Sequence, residues 1–264
     1  MVYGVGCLSS GDDVWLVKSC VMKNYKMDIN NRVIFSKDMK IAELIEVDYP
    51  LLTVLQRFGM ELPFGDVSVE ELCGKYGVSA ELFLMICQVY SSSDYMPNIE
   101  YLTTADLNSL ISYLRASHSL YLGEFLPSIA EGFERVLGLC EPKQRSVVGG
   151  FYRGYCEEVK AHLEYEEQRL FPYVEGLASG EPCDGACEMT CSMDEHADIC
   201  DKIEDIKSIL IKYLPESCTM QVRYGLLCDV FRLSDDLAKH TLIEVKILGP
   251  LVQKEERRLQ NAQG

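Results

Sequence analysis

His162 and Glu166 stand four residues apart in the stretch from Lys160 to Pro172. On a helix that spacing is one turn, so both side chains project from one face and could hold a metal ion inside a bundle. The pair recurs as His240 and Glu244, and each pair is preceded by a lone histidine, His118 or His196, at the same interval. The chain has 4 histidines and all of them belong to this pattern. It predicts two helical hairpins related by an approximate two-fold, jointly offering four imidazoles and two carboxylates. Against it stands a metal-free bundle with four core histidines. Chance would turn all four inward roughly once in eighty, and two carboxylates buried without cations would be costly.

Imidazole nitrogen suits iron, copper or zinc, and carboxylate oxygen suits harder ions, so the mixture favours iron over manganese or zinc. Two carboxylates can bridge two metals. Each metal would then receive two histidines and share Glu166 and Glu244, keeping positions open for an oxo group, dioxygen or nitric oxide. The spacing does not say which histidines share a metal.

The elements that must position these groups are helices. With 264 residues, 48% of them hydrophobic, the chain can bury one large core and a small one. No run of about 18 apolar residues and no basic-then-apolar N-terminus is present, which predicts a cytoplasmic protein without a membrane span. A net charge of −16, with no basic stripe to offset it, argues against nucleic-acid binding. In a cytoplasmic chain the 12 cysteines are expected as thiols, with Cys87, Cys156, Cys200 and Cys228 acting as small buried hydrophobes.

In chain order, residues 1–35 carry no assignable pattern. Residues 36–90 predict a small helical domain: a helix opened by Ser36 to Met39, one begun by Pro50 and closed at Gly59, one capped by Ser68 with Glu71, and one from Ser79 to about Tyr90. Residues 91–102 read as a linker. Residues 103–255 read as the bundle. Its first helix is capped by Thr103 and Thr104 and carries Leu107, Leu110, Leu114, His118 and Ile129 on one stripe. The second runs from Pro142 and stops near Pro172. A loop from Pro182 to Cys191 leads to a Ser192–Glu195 capping box that opens the third, which Pro215 ends. The fourth starts near Met220 and passes through Leu237, His240, Glu244 and Leu251. A polar tail, 256–264, follows. The expected class is all-α: an up-down-up-down four-helix bundle preceded by a small helical domain.

Through His118, the run His162, Glu166, Glu167, Leu170, Phe171, Pro172, the pair Glu195–His196, and His240 with Glu244, the bundle resembles the hemerythrin-like (HHE cation-binding) superfamily. Four histidines and two glutamates, with none left for a fifth histidine, resemble the repair-of-iron-centres (RIC) type more than the oxygen carriers. The resemblance implies a non-haem di-iron centre on His118, His162, Glu166, His196, His240 and Glu244, oxo-bridged when oxidised. It also implies iron-access carboxylates at Glu158 and Glu195. Tyr121, Tyr155 and Tyr165, at helical spacing from the ligands, read by default as core aromatics. The small domain resembles the RIC N-terminal domain through Pro50, Arg57 to Met60, Val69 to Cys73 and Gly77–Val78. One departure is plain: where that family commonly carries adjacent cysteines, this chain reads Leu62-Pro63-Phe64-Gly65-Asp66, so the small domain is expected to dock or dimerise.

The expected function is repair or protection of iron–sulfur centres under nitrosative or oxidative stress, with iron–sulfur proteins as partners and dioxygen or nitric oxide as small ligands. A di-iron sensor signalling to a partner protein is the alternative, and reduction of nitric oxide or peroxide a third. Cys183, Cys187 and Cys191, evenly spaced by four, form a rival thiol cluster. It lacks a recognised ligand spacing, and its acidic neighbours would raise the thiol pKa values.

Overall fold

The computed structural model describes residues 27–28, 32–180, 189–213 and 218–263, without the side chains of 189–195, 197 and 263. Apart from two isolated bridges, the regular structure among the described residues is helical. The small unit holds α1 (Ile41–Val47), α2 (Leu51–Arg57), α3 (Val69–Tyr76) and α4 (Ala80–Ser91). Ser68 and Ser79 cap α3 and α4 by accepting from the Glu71 and Leu82 N–H groups. Gly59 takes φ 68°, the left-handed conformation that favours glycine. The first helix starts later than its sequence suggests. Ser36 to Met39 closes as a turn, and Glu43 caps the first turn of α1 by accepting from the Lys40 N–H at 3.1 Å.

Four rods form the bundle. The first is α5 (Thr104–Leu120), a π turn (Tyr121–Phe125) and α6 (Leu126–Leu137). The second is α7 (Pro142–Tyr165), a π turn (Glu166–Leu170) and α8 (Phe171–Ser179); the third is α9 (Met189–Tyr213). The fourth is α10 (Met220–Ile243), a π turn (Glu244–Leu248) and α11 (Gly249–Gln263). Each rod packs on its sequence neighbours: α6 on α7 and α10, α9 on α7 and α10, α5 on α8 and α11. Neighbouring rods therefore run antiparallel, as an up-down-up-down bundle requires.

Two helix limits read from sequence are corrected. Pro172 does not stop the second rod, because the wide turn before it has already moved to i→i−5 bonding, with the Phe171 N–H donating to the Glu166 carbonyl. Ser192 does not open the third, since α9 is already helical at Met189; the capping box is inside the helix, where Ser192 has no free first turn to cap. Pro215 lies outside the described residues.

The apolar side chains form two clusters with the polar layer between them. One joins the small unit (Ile41, Leu55, Phe83, Ile86) to one end of the bundle through Leu110, Leu114, Leu170, Phe171, Ile243 and Ile247. The other fills the far half with Tyr121, Phe133, Tyr155, Val159, Ile203, Leu226 and Leu233. Along the first, second and fourth rods the candidate ligands fall where one cluster gives way to the other.

Candidate metal centre

His118, His162, Glu166, His196, His240 and Glu244 are all buried and converge from the four rods. Glu166 is central. Its Oε2 lies 3.1 Å from His118 Nε2, while its Oε1 lies 3.1 Å from His162 Nε2 and 3.5 Å from His196 Nε2. Glu244 repeats the arrangement, with Oε1 3.2 Å from His240 Nε2 and Oε2 3.0 Å from His196 Nε2. Two groups could each hold one metal ion, His118 with Glu166 and His240, and His162 with Glu166 and His196. The geometry thus sorts the histidines into pairs, which the spacing alone could not do.

The donor chemistry fits a cation. Among the described residues, His118 Nε2, His196 Nε2, His240 Nε2 and both Glu244 oxygens are buried without a hydrogen-bond partner. Imidazole nitrogens and carboxylate oxygens, all of them metal donors, face one another across 3.0–3.5 Å. For bonds of about 2.1 Å, cis ligands of one ion stand about 3 Å apart. The electrostatics agree. Burial would raise the Glu166 carboxyl, but the imidazoles of His118, His162 and His196 outweigh it and hold it well below the usual carboxylate range. Burial would lower His196, yet Glu166 and Glu244 together push it up to about 10. Without a metal, His196 takes up a proton as the positive charge between the two carboxylates.

Local structure explains the convergence. Each of three rods widens into a π turn at or just after its ligands, at Tyr121, Glu166 and Glu244, and such turns concentrate at functional sites. An outer carboxylate supports one ligand: Glu167 Oε1 lies 2.9 Å from His118 Nδ1. Glu167 is itself held by Arg115 Nε at 3.0 Å, and the same guanidinium forks onto Glu175. A Nδ1–H donated to Glu167 leaves Nε2 as the lone-pair side facing Glu166.

Glu158 is exposed and ion-paired with Lys202. Both line a cleft of about 380 Å³ with His162, Tyr165 and Asp198. The side chain of Glu195 lies outside the described residues, as do Cys183, Cys187 and the Cys191 side chain. Tyr121 and Tyr155 are buried, while Tyr165 is half-buried at the cleft. Among the thiols, Cys87 is buried and Cys156 and Cys200 half-buried, but Cys228 is exposed. Its place on α10 is off the Leu226, Val230, Leu233 stripe. In the small unit, burial pushes the Cys73 thiol up to about 12 and holds the Cys87 thiol well above its ordinary value, which disfavours the thiolate at both.

A second polar cluster was not anticipated. Asp236, one turn before His240, is buried and ion-paired with Arg57 of α2, whose side chain is 1% exposed. Tyr90 and Tyr121 donate to Asp236 at 2.8 and 2.6 Å. Its sequence signal was a charged residue within an apolar stripe, Leu233, Asp236, Leu237, His240.

Fold and site define a four-helix bundle with a buried histidine–carboxylate cation site at its middle. Residues 110–252, more than half the chain, match the hemerythrin HHE cation binding domain, and the chain belongs to that family. It is also similar to the iron-sulfur cluster repair protein ScdA of Staphylococcus haemolyticus (strain JCSC1435), 22% identical over 214 residues that cover 79% of this chain and 95% of that one.

Proposed function

We propose that the site holds two iron ions and that the protein repairs or protects iron–sulfur centres under nitrosative or oxidative stress. The observation that carries the first part is the sharing of Glu166, whose two oxygens face different histidines, Oε2 towards His118 and Oε1 towards His162 and His196. In this reading His118 and His240 would hold one ion and His162 and His196 the other, with Glu166 and Glu244 supplying carboxylate oxygens to the pair. Bound iron would supply redox chemistry and open positions for nitric oxide or dioxygen. The chain's own residues fix the rest. Glu167 holds the His118 tautomer, the two apolar clusters keep water from both ends, and the cleft beside His162 gives the centre a face towards solvent. The repair assignment draws on the similarity to the protein named for that role.

Elemental analysis of anaerobically purified protein tests the centre, with about two irons per chain expected and both lost in Glu166→Ala Glu244→Ala. Incubation with a nitric-oxide-damaged iron–sulfur enzyme tests the role. Recovery of that enzyme's activity, with iron leaving this protein in proportion, is expected. Iron retained with no recovery would overturn repair.

A further inference from the structure

We infer that Arg57 of the small unit is a positioning residue of the metal centre, acting on the His118/His240 half through Asp236 and Tyr121. The inference rests on the two-metal reading above and adds to it a control of one half by the amino-terminal helices. Among the described residues His240 Nδ1 has no hydrogen-bond partner, so beyond the approach of Nε2 to Glu244 Oε1 at 3.2 Å it is packing that sets the plane of its ring. Tyr121 meets that ring edge-on, at 5.6 Å between centroids and 81° between planes, and the His118 ring lies tilted against it at 5.2 Å.

Tyr121 is fixed in turn. Its hydroxyl donates to Asp236 Oδ2 at 2.6 Å and reaches the Asp236 carbonyl at 3.3 Å. Asp236 is fixed by Arg57, which also bonds Tyr90 and Tyr113. The guanidinium carbon lies 5.5–5.9 Å from the centroids of Tyr90, Tyr113 and Tyr121, so a cage of three rings holds it against one carboxylate. Tyr121 opens the π turn that follows His118, and Asp236 is one turn from His240. The cluster therefore touches the two rods of one ligand pair, and none of its members lies on α7 or α9, which carry His162 and His196. A carboxylate buried among phenols needs a cation. Without Arg57, Asp236 must take up a proton or draw in water, and either event loosens Tyr121 from the His240 ring.

Stepwise binding of cobalt(II) to the metal-free full-length protein, followed by its ligand-field bands under chelator competition, tests this. Wild type is expected to bind two ions in resolvable steps; His118→Ala should abolish one step and His162→Ala the other. Arg57→Met and Asp236→Asn should each weaken the His118 step by about 10- to 100-fold, the usual effect of losing an outer support. The His162 step should stay within about threefold of wild type. The double variant should be no worse than either single one, and Arg57→Lys, which keeps the charge, should fall between. Tyr121→Phe keeps the ring and removes the hydroxyl, so it carries the test if Arg57→Met does not fold; its effect should be smaller and confined to the same step. Both steps unchanged in folded variants, or both weakened equally, would overturn the inference and leave Arg57 a purely structural clasp. A wild-type protein that binds one ion or none would instead overturn the two-metal reading, and this inference with it.

Discussion

Glu167→Gln asks whether the outer carboxylate tunes the site. Glu167 Oε1 accepts from His118 Nδ1 at 2.9 Å and Oε2 accepts from Arg115 Nε at 3.0 Å. Glutamine keeps the shape but has one acceptor for two donors. If its oxygen stays on His118, its amide meets the guanidinium donor to donor. If it turns, its amide meets Nδ1 and favours the tautomer with the proton on Nε2, the nitrogen that faces Glu166. A hydrogen bond to a charged group contributes about 1.5–3 kcal/mol. The Glu167 side chain is 35% exposed, so solvent screens it and about half that range is a fair expectation. At 1.4 kcal/mol per tenfold, the His118/His240 half should lose about 3- to 12-fold in affinity. Cobalt(II) titration against a chelator of known affinity reads the loss, with the His162/His196 step as internal control. Equal affinity in both steps would refute the reasoning, as would a loss confined to the other half.

Removing metal should cost stability, since a ligand at a thousand times its Kd adds about 4 kcal/mol; a melting temperature indifferent to a strong chelator would contradict the centre. Gly132→Ala should lower stability by about 0–2 kcal/mol, because the new Cβ would stand 2.9 Å from Cδ1 and 3.4 Å from Cβ of the buried Leu226, an overpacking cost of about 1–3 kcal/mol from which about 1 kcal/mol is recovered as alanine replaces glycine in a helix; a raised thermal midpoint would refute it. Burial would raise the Asp236 carboxyl, but Arg57 outweighs it and holds the group below its ordinary value. A lowered folded pKa gives stability that is complete above about pH 3.9 and is lost as the pH falls through the folded value. Arg57→Met should thus unfold at a higher pH on acid titration followed by circular dichroism, and an unshifted acid midpoint would count against the pair.

The convergence of the candidate ligands was legible because their geometry is local. His162 with Glu166, and His240 with Glu244, need only one helical turn, and a helix repeats that turn whatever packs around it. The rods were legible for the same reason, from stripes such as Leu107, Leu110 and Leu114. Partners drawn from distant parts of the chain were not. Glu167 stands beside Glu166 in sequence, yet what makes it an outer support is His118, on another rod. Asp236 shows as a charge in an apolar stripe, but nothing local says that its counter-ion is Arg57 of the small unit. Cys228 was read as buried from its type alone, whereas its helical phase relative to Val230 puts it outside.

Pro172 is the most instructive misreading, because the same residue type marks every π turn. Pro127, Pro172 and Pro250 each stand two residues beyond such a turn, after Phe125, Leu170 and Leu248. A proline inside a helix lacks the N–H for the carbonyl four residues back and crowds that carbonyl with its ring. At Pro172 the crowded group belongs to Gln168, inside the π turn. Widening the turn moves it aside and passes bonding to the next carbonyl back, so the rod continues instead of breaking. The extra residue of each wide turn also shifts the phase between the two sides. A candidate ligand that opens it and a core residue just after it, such as Glu166 and Phe171, can both face inward at a spacing that a regular helix would not allow. The proline that looked like a stop signal is better understood as what holds the wide turn in place, and α9, which has no π turn, carries a single histidine and no proline among its described residues.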